Sequence, residues 1–122
     1  ETLLGPLSSL AAAERLEAQV DTAVAQGARL VTGGTRDGAF YAPTVLTDVT
    51  PEMDVYREEL FGPAGVVYRV SGEEDAVRVA NDTSFGLGSY VYTTDPAQAE
   101  RVADRTIRQM ITVNQIPGMA GA

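Results

Sequence analysis

VVYRVSGEEDAVRVANDTSFGLGSYVYTTDPAQAERVADRTIRQMITV, residues Val66 to Val113, sets down one structural unit twice. Val66 to Val70 is β-prone, Ser71-Gly72-Glu73-Glu74 has the S-x-x-E spacing of a capping box, and Asp75 to Asn81 carries Ala76, Val77 and Ala80 on one helical face. The order then returns. Gly88 to Thr93 is β-prone, Asp95-Pro96 supplies an N-cap with proline at the first helical position, and Ala99, Val102, Ala103 and Ile107 form an apolar stripe. Met110 to Val113 closes the run as a last strand. Helices of about ten residues are long enough to return the chain in the same direction, so the expected class is α/β, a mostly parallel sheet with flanking helices.

Upstream, Leu16, Val20, Ala23 and Val24 fall at i, i+4, i+7 and i+8, which predicts an amphipathic helix from Leu10 to Gln26. Ser8 or Ser9 is available as its N-cap and Gly27 as its stop. A short strand, Arg29 to Thr32, runs into Gly33-Gly34, and the stretch to Gly38 reads as a surface turn. In FYAPTVLTDV, Phe40 to Val49, Pro43 confines the first half to an edge strand or extended arm. Thr50-Pro51 reads as an N-cap and first position of a short helical turn to about Tyr56. No linker or low-complexity tract interrupts residues 1–122, which therefore read as one domain or one continuous piece of a larger one.

Composition excludes more than it assigns. The 122 residues are 44% hydrophobic, enough for a core. Seventeen Asp and Glu against nine Arg give a formal charge of −8, a field that repels nucleic acid and anionic membrane surfaces alike. There is no Lys, His, Cys or Trp, so Schiff-base lysine, Ser-His and Cys-His chemistry and almost any zinc site are excluded from the chain itself, and no metal is expected. A cysteine-free chain fits a cytoplasmic location, although a disulfide-free secreted protein would look the same. ETLLGPLSSL has neither an initiator Met nor a signal-peptide pattern, and no apolar run approaches the roughly 20 residues of a membrane span.

Several features invite a chemical reading and also a plain one. Gly33-Gly34 resembles a phosphate loop, but it lacks the G-x-G-x-x-G spacing and opens no immediate helix, which favours a turn. Arg101, Arg105 and Arg108 could clamp an anion or form a solvated face near a helix C-terminus. Tyr90 and Tyr92 share one strand face and could stack on a ligand or on neighbouring strands. Arg57-Glu58-Glu59-Leu60-Phe61-Gly62-Pro63 is denser in meaning. Gly62 permits an unusual backbone, Pro63 sets the exit direction, and Phe61 either plugs the core or walls a pocket. A carboxylate beside such a wall could take both hydroxyls of a ribose; two solvated acids before a turn is the alternative.

EELFGP, preceded by FYAPTVL (Phe40 to Leu46) and followed by Ala80-Asn81-Asp82-Thr83-Ser84-Phe85-Gly86-Leu87 and Val113-Asn114, resembles the order of signatures in the C-terminal half of the catalytic domain of NAD(P)-dependent aldehyde dehydrogenases. Leu4-Gly5-Pro6-Leu7 is similar to the family's segment before a long helix, so the resemblance runs from Leu4 to Asn114. It implies a parent enzyme that oxidises an aldehyde to a carboxylic acid with NAD or NADP, and its overall look is nearest to the succinate-semialdehyde and general aldehyde members. It also implies that Glu59 binds the nicotinamide-ribose hydroxyls, that Phe61 packs near the nicotinamide ring, and that Gln115 to Met119, led by Gln115 and Ile116, line the aldehyde channel.

Gln109 stands where the family usually has Gly, and the family's nucleophilic Cys, its general-base Glu and its Gly-rich cofactor region lie upstream of the matched segment. Residues 1–122 are thus expected to be a catalytic-domain fragment, inactive alone, of an enzyme that is a homo-oligomer when complete. The rival reading is a free-standing, non-catalytic α/β binding module with an acidic surface. That module explains the charge but not the order of the motifs.

Overall fold

The computed structural model describes residues 4–106 and 110–113. They form two compact units divided between Arg69 and Val70. Ile107, Arg108, Gln109, Asn114 and the channel candidates Gln115 and Ile116 lie outside the described residues.

In the first unit, helix α1 (Leu10–Ala25) is capped by Ser9, whose hydroxyl accepts from the Ala12 N–H at 3.0 Å. Gly27 takes a φ of 116°, which turns the chain out of the helix. The apolar stripe packs as its spacing demands: Leu16, Val20 and Ala23 are buried, while Val24, at the stripe's edge, stays exposed. Against it lies a three-stranded sheet in the order β1 (Arg29–Thr32), β4 (Thr44–Thr47), β5 (Ala64–Val66). The pair β1–β4 is antiparallel and β4–β5 parallel. Leu46 of β4 is fully buried among Leu16, Val20, Tyr41, Val49, Met53 and Val55.

Three local expectations change. The stretch before Phe40 is more than a surface turn, because β2 (Arg36–Asp37) and β3 (Phe40–Tyr41) make a hairpin. Gly38 opens its two-residue loop with a φ of 58°, the backbone that such tight hairpins demand. Thr50 is not a helix cap: a turn leads into a 3-10 turn at Asp54–Tyr56 whose N-cap position is Met53. The strand expected at Val66 to Val70 lies earlier, because its partner β4 ends at Thr47 and Asp48 turns away with a φ of 59°. Only one further bond, from the Val67 N–H to Leu46 O at 2.9 Å, continues the ladder.

The second unit follows the order read for this stretch, helix, strand, helix, strand, with its first strand ending at Val91 rather than Thr93. Helices α2 (Glu73–Asn81) and α3 (Pro96–Arg105) accompany β6 (Gly88–Val91) and β7 (Met110–Val113), which pair in parallel. Asp95 caps α3 by accepting from the Ala97 and Gln98 N–H groups, with Pro96 at the first position. The S-x-x-E box read at Ser71 to Glu74 does not form, because the helix starts one residue later and its N-cap has no side chain to cap with. Gly72 is the N-cap, and the Asp75 carboxylate accepts from the Ser71 N–H at 3.1 Å.

Arg101 and Arg105 tie α3 to α2. The Arg101 guanidinium grips Glu73 with two bonds of 3.0 and 3.1 Å, and Arg105 reaches Glu74. The solvated-face reading of these arginines therefore gains acid partners. The Arg101 bonds, then the Gln98 amide, hold the Glu73 carboxyl below its ordinary 4.5. A carboxyl lowered on folding contributes stability above its unfolded value and loses it as pH falls through the folded one. Stability should therefore drop below about pH 4.5, and Glu73→Gln should flatten that drop. Urea midpoints from pH 7 to pH 3 check this, and identical profiles for the two proteins would refute it.

Among the described residues, no helix is long and apolar enough to cross a membrane. No group of three or more potential metal ligands occurs among them either.

Candidate functional site

The segment from Arg57 to Pro63 is held at both ends. At its start, the buried Val55 and Met53 pin the 3-10 turn to the core, and the Asp54 N–H donates to Gln26 Oε1 of the residue after α1 at 2.9 Å. Tyr56 meets Tyr68 edge to face at 5.8 Å between ring centroids, and the Arg57 guanidinium lies 4.8 Å above the Tyr56 ring. At its end, Pro63 O accepts from the Thr44 N–H at 2.8 Å, which joins the segment to β4 just before β5 begins.

Between those anchors the side chains separate by role. Leu60 packs against the core, while Glu59 and Phe61 on either side of it are exposed, Phe61 by 74%. Residues two apart in extended chain share a face, so the inward Leu60 leaves its neighbours to the outside. Such exposure of a phenylalanine calls for a partner of its own, since burying the ring would gain about 2 kcal/mol.

The two acids differ in what they already hold. Gln19, on α1, donates its amide to Glu58 Oε2 at 2.8 Å and to the Glu59 main-chain oxygen at 3.4 Å. Among the described residues the Glu59 carboxylate has no hydrogen bond or ion pair of its own. Glu58 is thus a structural acid and Glu59 a free acceptor. Sequence reading did not single out Gln19: nothing local links it to Glu58, which lies 39 residues along the chain.

Gly62 lets the segment lie this close to the helix. Its φ is 156°, and a Cβ there would sit 2.5 Å from Leu16 Cδ2 and 3.3 Å from Leu7 Cδ2. Gly33-Gly34 is a turn with φ of 82° and 77°, its Gly34 N–H bonded to Thr44 Oγ1 at 2.8 Å. Tyr90 is exposed at 48% and Tyr92 at 60% in the second unit.

An acceptor-only carboxylate can take two ribose hydroxyls and an exposed apolar ring can cover a flat heteroaromatic, the kind of contacts that the resemblance implies for Glu59 and Phe61. The chain matches the model of the aldehyde dehydrogenase family over residues 1–121. It is similar to an NADP(+) succinate-semialdehyde dehydrogenase of Deinococcus radiodurans, 53% identical over 116 residues that cover 93% of this chain and 24% of that protein. Among solved structures, aldehyde dehydrogenase 21 of Physcomitrella patens in complex with the reaction product succinate matches with a TM-score of 0.90 and 39% identity, over 97% of this chain and 24% of that one. The succinic semialdehyde dehydrogenase of Streptococcus pyogenes in complex with NADP+ matches with a TM-score of 0.89 and 38% identity, over 94% and 26%. The chain thus spans about a quarter of the length of the proteins it matches.

Proposed function

Since the chain belongs to the aldehyde dehydrogenase family, we propose that residues 1–122 are a stretch of the catalytic domain of an NAD- or NADP-dependent enzyme that oxidises an aldehyde to a carboxylic acid. Succinate semialdehyde is the substrate this reading names, supported by the name of the Deinococcus protein and by the succinate in the Physcomitrella complex. The observation that carries the site is the division of labour in Glu58-Glu59: Gln19 occupies the first carboxylate and leaves the second free beside an exposed ring. Nicotinamide, when bound, supplies the hydride acceptor.

Everything else assigned to this chain is binding and orientation. Glu59 accepts from the ribose hydroxyls, and Phe61 covers one side of the nicotinamide and excludes water from it. Gln19 and Gly62 position both by fixing the main chain between them. With no cysteine in the 122 residues, the nucleophile belongs to another part of the enzyme, and these residues are inactive alone. Gln115 and Ile116 as channel residues, the homo-oligomer and the cytoplasmic location are parts of the same proposal.

In the full-length enzyme, Glu59→Gln should slow hydride transfer about tenfold, because one charge-assisted bond to a hydroxyl becomes a neutral one. Glu58→Gln should stay within about twofold of the parent, since its carboxylate serves an exposed contact. Pre-steady-state formation of the reduced nicotinamide with succinate semialdehyde measures both. Equal effects at the two positions would remove Glu59 from the ribose, and no aldehyde oxidation by the full-length enzyme would overturn the functional reading.

A further inference from the structure

A second set of groups lies at the opposite end of the first unit's parallel strands from Glu59 and Phe61. Glu59 and Phe61 come just before the amino end of β5, whereas Arg29, Val31, Thr47, Asp48, Val49, Val67, Tyr68 and Arg69 line a groove of about 520 Å³ beyond its carboxyl end. Crevices outside the carboxyl ends of parallel strands are where open α/β sheets most often take ligands, and the volume is in the range of small-molecule sites. Three parts of the chain converge there: the start of β1, the turn after β4 and the exit from β5.

The charge in this groove is unusual for the molecule. In a chain with 17 acids and a net charge of −8, most arginines find an acid or a ring: Arg36 pairs with Glu17, Arg78 with Asp75, and Arg101 and Arg105 with Glu73 and Glu74, while Arg57 covers Tyr56. The guanidiniums of Arg29 and Arg69, like that of the exposed Arg15 on α1, have neither hydrogen bond nor ion pair among the described residues, and these two converge on one groove although Asp48 lines it too. Tyr68 adds a phenol, a hydroxyl donor at neutral pH that burial moves still further from ionisation. Two planar cations and a hydroxyl donor offer what an oxyanion accepts.

We propose that the groove at the carboxyl ends of β4 and β5 binds a small oxyanion, a phosphate or carboxylate group, through Arg29, Arg69 and the Tyr68 hydroxyl. Asp48 works against the ligand as the one acid in the wall. This makes the sign of its replacement diagnostic, and asparagine tolerates the φ of 59° found there.

The test is a titration of the 122-residue chain with inorganic phosphate and, separately, malonate, followed by amide resonances at Thr47 to Val49 and Val67 to Arg69. Saturable shifts are expected at constant ionic strength. Arg29→Ala and Arg69→Ala should each weaken binding about fivefold, and Asp48→Asn should tighten it. Arg15→Ala, on the exposed face of α1, should change nothing. Saturation by phosphate alone assigns the site to phosphate groups, by malonate alone to carboxylates, and by both to either. Shifts that do not saturate, or that respond to Arg15→Ala as strongly as to Arg69→Ala, would overturn the proposal. Because no reading involves catalysis or Glu59, its failure leaves the dehydrogenase assignment untouched.

Discussion

Gly33→Ala should lower the stability of the chain by about 4 kcal/mol and its Tm by roughly 15 °C. Two costs combine. At a φ of 82° an alanine is strained in any surroundings, and its Cβ would overlap Pro43 O and Thr44 Oγ1 and come within 2.8 Å of Thr44 Cα. Thr44 cannot step aside, because it is 3% exposed, donates its hydroxyl to Ala42 O at 2.7 Å and accepts from the Gly34 N–H. Moving it would also disturb the start of β4, where the Thr44 N–H holds Pro63 O and thereby the functional segment. Gly38→Ala is the internal comparison: its φ is 58°, but nothing lies within 4 Å of the added methyl, so only the conformational cost of about 1 kcal/mol remains. Urea unfolding of both variants decides the matter. Equal losses would mean that strain alone, without the overlap, governs Gly33.

This glycine also marks where sequence reading reached its limit. Gly33-Gly34 was legible as a turn from composition, and the turn is there, but its value as the seat for Thr44 depends on a residue ten positions on. Features whose partners sit within one turn were readable: Ser9 and Asp95 cap their helices, and the stripe of Leu16, Val20 and Ala23 faces the core. Features decided by a distant partner were not. Val66 to Val70 has the composition of a strand, yet β5 ends at Val66 because β4 offers no further partner, and Val67 and Val70 are left exposed. The β2–β3 hairpin did carry a local signal, a glycine at the first position of a two-residue loop between β-prone residues, and could have been read. At the site, the resemblance named Glu59 over Glu58, while the physical difference between them rests on Gln19 from another element.

Gly62→Ala should cost about 3 kcal/mol, and its cost should depend on Leu16. The added Cβ meets Leu16 Cδ2 at 2.5 Å, and Leu16 is among the most completely buried side chains of the first unit, at 1% exposure. A buried leucine in a filled core has no free rotamer to retreat into, so either the leucine leaves its well or the main chain of Phe61 to Pro63 lifts off α1. Leu16→Ala alone should cost about 3 kcal/mol through the cavity it leaves. In the double variant the new methyl enters space that the leucine has vacated, and only the strain of an alanine at a φ of 156° persists. The double variant should therefore lose about 1 to 2 kcal/mol less than the sum of the single losses. A double-mutant cycle by urea unfolding measures the difference, and additivity would show that Gly62 acts through its backbone conformation alone. The same lifting has a functional reading. If Phe61 moves with the main chain, Gly62→Ala in the full-length enzyme should weaken nicotinamide cofactor affinity, and Leu16→Ala added to it should restore part of that affinity while the protein remains less stable than the parent. Stability and affinity moving in opposite directions in one variant is an outcome that general unfolding cannot produce, so it isolates the placement of Phe61 by Gly62.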